Sequence, residues 1–354
     1  MASKLRPLYD RLYIRGEAVY NAVAWRRSDK KGLPHAVPDP ALDEAYARVI
    51  RPYWRQFRVR TPRKFWFRLF GPDPRCIPDD LWFRDVVPHY NNLIFAKGFQ
   101  DKCLHNLFFP ECKRPETVVK RVAGVFYDDD LTLLSPAEAV RRFRGQGRVI
   151  VKPSVSTGQG HGIRFYDSDS MAAEEIEAVF ARYGKNFIVQ KKLAQHPDLA
   201  ALNPGSVNTV RILSFLHGGE VHILSSILRV GGADSEIDNV SQGGYQCTIR
   251  PDGMLEPEAI TKRGGAWTTV TETADGLRFG DLRVPAYDRV RELVLRESAR
   301  MAHFPLLGWD IAVDPGGDPV LVEYNVIPGQ NQRTGGPTFG GLTDDVLTEV
   351  YGRR

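Results

Sequence analysis

Gly308-Trp309-Asp310-Ile311-Ala312-Val313-Asp314, a glycine turn, and Val320-Leu321-Val322-Glu323-Tyr324-Asn325 form the stretch from which the rest of the chain can be read. Branched and aromatic residues recur at every second position on both sides of Gly316-Gly317, as expected for a hairpin of half-buried strands. A turn centred on those glycines sets Val313 opposite Val320, Ile311 opposite Val322, Asp310 opposite Glu323 and Trp309 opposite Tyr324. One face then holds Trp309, Ile311, Val313, Val320, Val322 and Tyr324, an apolar layer for a core. The other holds Asp310, Glu323 and Asn325. Two carboxylates set opposite each other repel, and an isolated pair of this kind is ordinarily a solvated outer face. A third oxygen donor beside them, with no His or Cys, instead suits a hard cation such as Mg²⁺ that keeps water and phosphate oxygens as ligands.

Upstream, Lys152-Pro153-Ser154-Val155-Ser156-Thr157-Gly158-Gln159-Gly160-His161-Gly162 lies between two strand-like runs, Arg148 to Lys152 and Ile163 to Tyr166. It is not a Walker A loop, which needs Gly-Lys-Ser/Thr opening a helix, nor a dinucleotide fingerprint, because a strand follows the glycines. Two readings stand. One is a plain turn. The other is a glycine hairpin folded over a nucleotide, in which Ser154, Ser156, Thr157, Gly158, Gly160 and Gly162 offer hydroxyl and backbone N–H groups to phosphate oxygens. Lys152, if it points the same way, adds a point charge. His161 at the tip is expected to be solvated.

Further elements follow from local signals. Ser135-Pro136-Ala137-Glu138 predicts a capped helix to about Phe143, and a second capped helix runs from Ser170 to Tyr183 with Gly184 as its stop. Phe187 to Gln190 reads as an apolar strand. Gly218-Gly219 joins strands over Val207 to Leu216 and Glu220 to Val230. Tyr245 to Ile249 is a strand before a Pro251-Asp252-Gly253 turn, Tyr287 to His303 is a helix burying Val290, Leu293, Val294 and Met301, and a terminal helix covers 343–351. Residues 1–30 read as a helix, and a second helical tract runs from Asp43 to about Phe70. The segments 73–130 and 230–285 give no clear pattern beyond this.

The chain has 354 residues, 42% hydrophobic and 26% charged, which excludes disorder, collagen and a small disulfide-stapled module. Cys76, Cys103, Cys112 and Cys247 stand far apart with no metal-site spacing and read as reduced, buried thiols. No run approaches the roughly 18 apolar residues of a membrane span, and Met-Ala-Ser-Lys-Leu-Arg lacks a signal-peptide core, so a cytoplasmic location is expected. The net charge of +5 is uneven: residues 1–70 hold sixteen Lys/Arg against six Asp/Glu, and the remainder 32 against 37. Aromatics interleave with arginine there, as in Arg51-Pro52-Tyr53-Trp54-Arg55-Gln56-Phe57-Arg58. Such a region forms either amphipathic helices with solvated basic faces or a contact with anionic head groups at the inner face of the membrane. No nucleic-acid partner is expected, because no recognised binding motif accompanies the charge.

Taken together, Lys152-Pro153 with the glycine loop, Asn208-Thr209-Val210-Arg211, Asp238-Asn239 with Gly243-Gly244, Gly308-Trp309-Asp310 and Glu323-Tyr324-Asn325 resemble the ATP-grasp enzymes, and among them the sugar-transfer associated branch. The resemblance spans residues 97–345. It implies an α+β fold in which two lobes grip ATP, with 1–70 a basic helical region, 71–134 a substrate-side segment, 135–193 the first lobe and 194–354 the second. It also implies that Asp310, Glu323 and Asn325 hold two Mg²⁺ ions and that Lys152 and Lys102 hold the α- and β-phosphates. Gln190, Lys191 and Leu193 correspond to the adenine-lining segment, where the family often carries an acidic residue near Gln190. Arg211 matches the arginine that stabilises the transferring phosphoryl group. Arg229, Asp238 and Asn239 fall near the acceptor, although an ideal hairpin puts Arg229 on the face opposite Arg211. Among loop residues, Arg263, Trp267, Gln330, Gln332 and Arg333 either contact substrate or are ordinary surface. The implied activity is an ATP-dependent carboxylate–amine ligase joining a sugar acid or glycan-linked carboxylate to an amino acid or other amine. A sugar kinase on the same scaffold and a nucleotide-binding scaffold for a glycosyltransferase are the alternatives.

Overall fold

The structure is a computed structural model and describes residues 10, 12–20, 23, 40–50, 52–53, 73–77, 79–155, 162–232, 235–236, 238, 243–263 and 266–352. Of the two N-terminal helical tracts, residues 10, 12–20 and 23 are helical and a helix spans Pro40–Ile50. Pro52 and Tyr53 form a single tight turn of helix beyond it, with Tyr53 buried, and the rest of both tracts lies outside the described residues.

Strands β1 (Thr117–Val122), β2 (Val125–Tyr127), β3 (Leu133–Leu134), β4 (Arg148–Pro153), β5 (Arg164–Asp167) and β6 (Phe187–Lys191) form an antiparallel sheet in the order β3-β2-β1-β6-β4-β5. This sheet therefore reaches back into the 71–134 segment. Val119, Val149, Val151, Phe187 and Val189 turn one face toward the helices Pro136–Phe143 and Ala173–Tyr183, where Phe143, Ile176 and Phe180 complete a core. The first helix starts as its cap predicts, with the Glu138 N–H donating to Ser135 Oγ at 3.2 Å. The second starts at Ala173 rather than Ser170. Glu175 Oε2 accepts from the Ala172 N–H at 2.7 Å, while Ser170 Oγ donates to the Asp167 carbonyl at 3.1 Å. Strand alternation puts Lys120, Ile150, Lys152, Ile188 and Gln190 on the opposite face.

The second sheet contains β7 (Thr209–His217), β8 (Glu220–Val230), β9 (Tyr245–Ile249), β10 (Leu255–Arg263), β11 (Ala266–Val270), β12 (Leu306–Val313) and β13 (Pro319–Asn325), in the order β11-β10-β9-β8-β7-β12-β13. One face packs on the helix Tyr287–Arg300 through Val210, Leu228, Val290, Val294, Trp309 and Ile311. Each such side chain contributes about 1.5–3 kcal/mol on burial. At one end of the other face, Leu213, Phe215 and Leu306 are covered by Trp82, Phe83, Val86, Phe339 and Val346. The remainder of that face carries the site.

Two bulges decide what that face displays. Between β7 and β8 the register begins as the glycine turn dictates, with His217 opposite Glu220, but Ser214 pairs with Ile223 and Leu213 with Ser225. Leu224 is the extra residue. From there every side chain of β8 changes sides relative to an ideal hairpin, so Thr209 pairs with Arg229 and Arg211 with Ile227. Arg229 therefore shares a face with Arg211, contrary to the ideal-hairpin expectation. Between β12 and β13, Asp310 pairs with Glu323 and Trp309 with Tyr324 as expected, yet Ile311 meets Leu321 and Val313 meets Pro319. Val322 is the extra residue here, and Leu321 replaces it in the core. The cause is a longer turn, Asp314 to Asp318, whose Asp314 Oδ1 accepts from the Gly316 and Asp318 N–H groups at 2.9 and 2.8 Å.

Candidate active site

Asp310 is the centre of a charged cluster on the open face of the second sheet. Its neighbour on β7, Arg211, donates Nη1 to Asp310 Oδ2 at 2.6 Å, and Arg229 on β8 donates Nη1 to Asp310 Oδ1 at 3.1 Å. Arg229 also reaches Asp238, with Nη2 3.4 Å from Oδ1 and 3.3 Å from the backbone oxygen. Thr209 Oγ1 donates to the other Asp238 oxygen. Burial pushes the Asp238 carboxyl up, against the pull of Arg229. For Arg229 burial works against the charge, but the carboxylates of Asp238 and Asp310 outweigh it and hold the guanidinium firmly protonated. Asn325 joins the cluster through Nδ2, 3.4 Å from Asp310 Oδ2.

Across the hairpin, Glu323 meets one cation from the first lobe, Lys152, and one from the segment before it, Lys102. Lys102 Nζ lies 2.9 Å from Glu323 Oε1. Asp101 positions it: its Oδ1 accepts from the Cys103 N–H at 3.0 Å, and the Lys102 N–H donates to the Ser154 carbonyl at 3.0 Å. The lysine is thereby fastened to the end of β4, where the glycine loop begins. Lys152, buried on that strand, is pushed down to about 8 by burial, with Glu323 opposing and Lys102 adding to the shift. For Glu323, burial raises the carboxyl but Lys102 and Lys152 prevail and hold it low. The sequence motifs did not single out His105, which stands beside this pair. Burial, assisted by Lys102, pushes it down to about 3, so it is neutral. Its Nε2 is buried without a hydrogen-bond partner, as is Gln190 Oε1. A small polar cavity between the lobes is lined by Lys102, His105, Lys152, Gln190 and Val322.

Asp310, Glu323 and Asn325 are hard oxygen donors on one face. Among the described residues no group of three His, Cys, Asp or Glu side chains could hold a metal by itself. A cation here would take two carboxylates and an amide oxygen, leaving its other positions to phosphate and water, and the donor set fits Mg²⁺ in that form.

Other expected residues are placed less centrally. Ser154 is buried, and Gly162 closes the loop at φ +79°, where a Cβ would stand 2.9 Å from Pro153 Cγ. Ser156, Thr157, Gly158, Gly160, His161, Asn239 and the Arg263 side chain lie outside the described residues. Gln190 Nε2 donates to the Pro115 carbonyl at 3.4 Å, and Lys191 pairs with Glu116 at 2.6 Å. Leu193 and Lys191 line a separate open cleft of about 430 Å³ with Arg148 and Gln195. The Arg333 guanidinium stacks 4.7 Å from the Trp267 ring centroid. Gln330 and Gln332 hold a structural contact instead, donating to the Ile77 carbonyl at 2.9 and 2.7 Å. Lys120, another residue the motifs passed over, is fully buried and bound to Asn106 Oδ1 at 2.9 Å, the Asp129 carbonyl at 2.7 Å and Asp129 Oδ1 at 2.9 Å. No spacing marks it, since its partners come from two different segments.

Gly308 supports the cluster from below. A Cβ there would stand 3.0 Å from Pro328 Cβ and 3.6 Å from Arg211 Cζ. Gly308→Ala is expected to cost about 1–3 kcal/mol through overpacking. Denaturant unfolding reads this directly, and an unchanged midpoint would show that Pro328 yields freely.

Two antiparallel sheets, with two lysines set against a cluster of two carboxylates, an asparagine and two arginines, are an arrangement of the ATP-grasp class of fold. A profile of the sugar-transfer associated ATP-grasp family matches residues 85–333, and the chain belongs to that family. Among solved structures it is similar to the biotin carboxylase domain of the Hydrogenobacter thermophilus 2-oxoglutarate carboxylase, crystallised with MgADP and bicarbonate, at 13% identity and a TM-score of 0.43 over 72% of this chain and 46% of that one. It is also similar to an L-amino acid ligase from Bacillus licheniformis, at 13% identity and 0.39 over 74% and 49%. A third likeness is to D-alanyl-alanine synthetase A from Vibrio cholerae, at 15% and 0.40 over 71% and 63%. The chain thus spans about half the length of the first two. No curated protein sequence matches it.

Proposed function

We propose that this protein is an ATP-dependent carboxylate–amine ligase acting through an acyl phosphate. The convergence of Lys102, Lys152, Glu323, Asn325, Asp310, Arg211 and Arg229 between the lobes carries the reading. In the first step a substrate carboxylate oxygen attacks the γ-phosphorus of ATP, the β–γ bridging bond breaks and ADP leaves. In the second an amine attacks the acyl carbon, the C–N bond forms, the C–O bond to phosphate breaks, and the amine loses a proton as phosphate departs. Lys102 and Lys152 would hold phosphate oxygens, and Arg211 and Arg229 would face the charge that develops on the transferring group. Mg²⁺, when bound to Asp310, Glu323 and Asn325, would neutralise phosphate charge and align it. An enzyme-bound covalent intermediate is not called for: burial pushes Cys103, next in sequence to Lys102, up to about 12, which makes it a poor nucleophile.

The family's sugar-transfer association supports a sugar acid or glycan-linked carboxylate as one substrate and an amino acid or other amine as the second. Phosphorus NMR on the protein with Mg-ATP, uronic acids and pooled amines tests this. ADP and free phosphate that require both a carboxylate and an amine support the ligase; ADP with a new phosphate ester would replace it by a kinase.

Lys152 gives the nucleotide step a pH signature. With the free lysine near 8, the triphosphate binds best when Nζ is charged and raises its affinity for the proton. Affinity for Mg-ATP should fall as pH rises above that value, by up to about tenfold per pH unit, with proton uptake on binding. Lys152→Arg, charged throughout, should flatten the profile. Calorimetry in buffers of different ionisation enthalpy measures both quantities.

A further inference from the structure

The helix over residues 12–20, continued at 23, sits on the body with an apolar face turned to solvent. Its inner side is fixed by contacts. Ala18 is buried, Ile14 packs on the cluster around Trp82 and Phe83, and Lys97 Nζ lies 5.4 Å from the Tyr13 ring centroid and 3.5 Å from Glu17 Oε1. With 3.6 residues per turn, positions 12, 15, 16, 19, 20 and 23 share the opposite arc. All are exposed: Leu12 by 62%, Val19 by 46%, Tyr20 by 70% and Val23 by 42%, with Arg15 and Gly16 between them. A helix on a globular body ordinarily turns its charged residues outward. Here the described outward positions hold four large apolar or aromatic side chains, one arginine and no acid. Ile94 and Phe95, three and two residues before Lys97, are exposed as well.

We propose that this face is a docking surface for an anionic lipid bilayer. The occupant follows from charge. The helix lies in the region, residues 1–70, that carries sixteen Lys/Arg against six Asp/Glu, with Arg26 and Arg27 three and four residues after Val23 in the sequence. A second copy of the chain on this face would bring two such basic regions together and be repelled. A bilayer with anionic head groups accepts both features, since apolar side chains enter the acyl boundary while arginines stay among the phosphates. Among the described residues no helix is long and apolar enough to cross a membrane, so the contact is one of lying on the surface. The inference does not depend on the reaction catalysed.

Sedimentation of the full chain with phosphatidylcholine vesicles containing about one third phosphatidylglycerol, against pure phosphatidylcholine, tests it. Binding to the anionic vesicles that weakens with salt is expected. Val19→Glu combined with Val23→Glu should reduce the bound fraction about tenfold at an unchanged melting temperature, because apolar area is lost from the outward face alone. Leu12→Gln should reduce it less and serves if the double variant is unstable. Equal binding by variant and parent, absence of binding by the parent, or a lipid-free dimer of the parent that the double variant dissolves would each overturn the proposal.

Discussion

Glu323→Gln is expected to lower ATP turnover by about a thousandfold, the scale of losing a group that balances developing phosphate charge. The substitution keeps size and shape, so its effect is one of charge. Lys102 then loses its anion while Lys152 stays beside it, and two cations held together should lower the melting temperature without unfolding the protein. Asn325→Ala removes a neutral donor and should cost less, about ten- to a hundredfold. Phosphate release at saturating Mg-ATP, read with thermal unfolding, separates these effects. Full turnover in both variants would end the assignment of this face as the metal and phosphate site.

Arg229→Met is expected to be the most destabilising single change near the site, by about 3–5 kcal/mol. Arg229, its side chain 20% exposed, lies between the Asp310 and Asp238 carboxylates, at 3.1 and 3.4 Å. Its removal leaves Asp310 with Arg211 as an ion-pair partner and Asp238 with the Thr209 hydroxyl. Adding Asp238→Asn should return about 1–3 kcal/mol, since the unpaired carboxylate goes with it. Arg229→Lys should fall between, because one ammonium cannot span both acids as the guanidinium does. In Arg229→Met, Mn²⁺ should also bind more tightly without nucleotide, as Asp310 loses a competing cation; electron paramagnetic resonance detects the free ion. Additive costs for the two substitutions would show that the three residues do not act as a unit.

Much of this arrangement is legible in the amino-acid order. Gly218-Gly219 announces the β7–β8 turn, Ser135 with Glu138 announces a helix start, and the opposition of Asp310 and Glu323 follows from counting outward from Gly316-Gly317. What fails does so for a physical reason. Alternation assumes that strands pair one residue to one, and a bulge breaks this without altering composition. Hence Arg229 and Val322 come out on the wrong faces, although each was correctly assigned to a strand. Lys120 and His105 escape for another reason: they matter through burial and through partners distant in sequence. Strands β10 and β11 are missed because the residues between 255 and 270 carry no strong alternation, and the pairing of β10 with β9 and of β11 with β10 supplies the order they lack alone.

The bulge at Leu224 absorbs one residue of strand length, and the arginine pair depends on that absorption rather than on the side chain at 224. Trimming that residue to alanine would leave Arg229 beside Arg211, and deleting it would too, since Ile223 and Ser225 already face Ser214 and Leu213 and would close into a regular ladder. Pairing the same residues one to one without the bulge would instead drive Arg229 against the apolar helix Tyr287–Arg300 and put Leu228 in its place in the cleft. Among related chains, a one-residue gap at the bulge is therefore silent for the site, whereas the same gap between Ser225 and Arg229 is a change of chemistry.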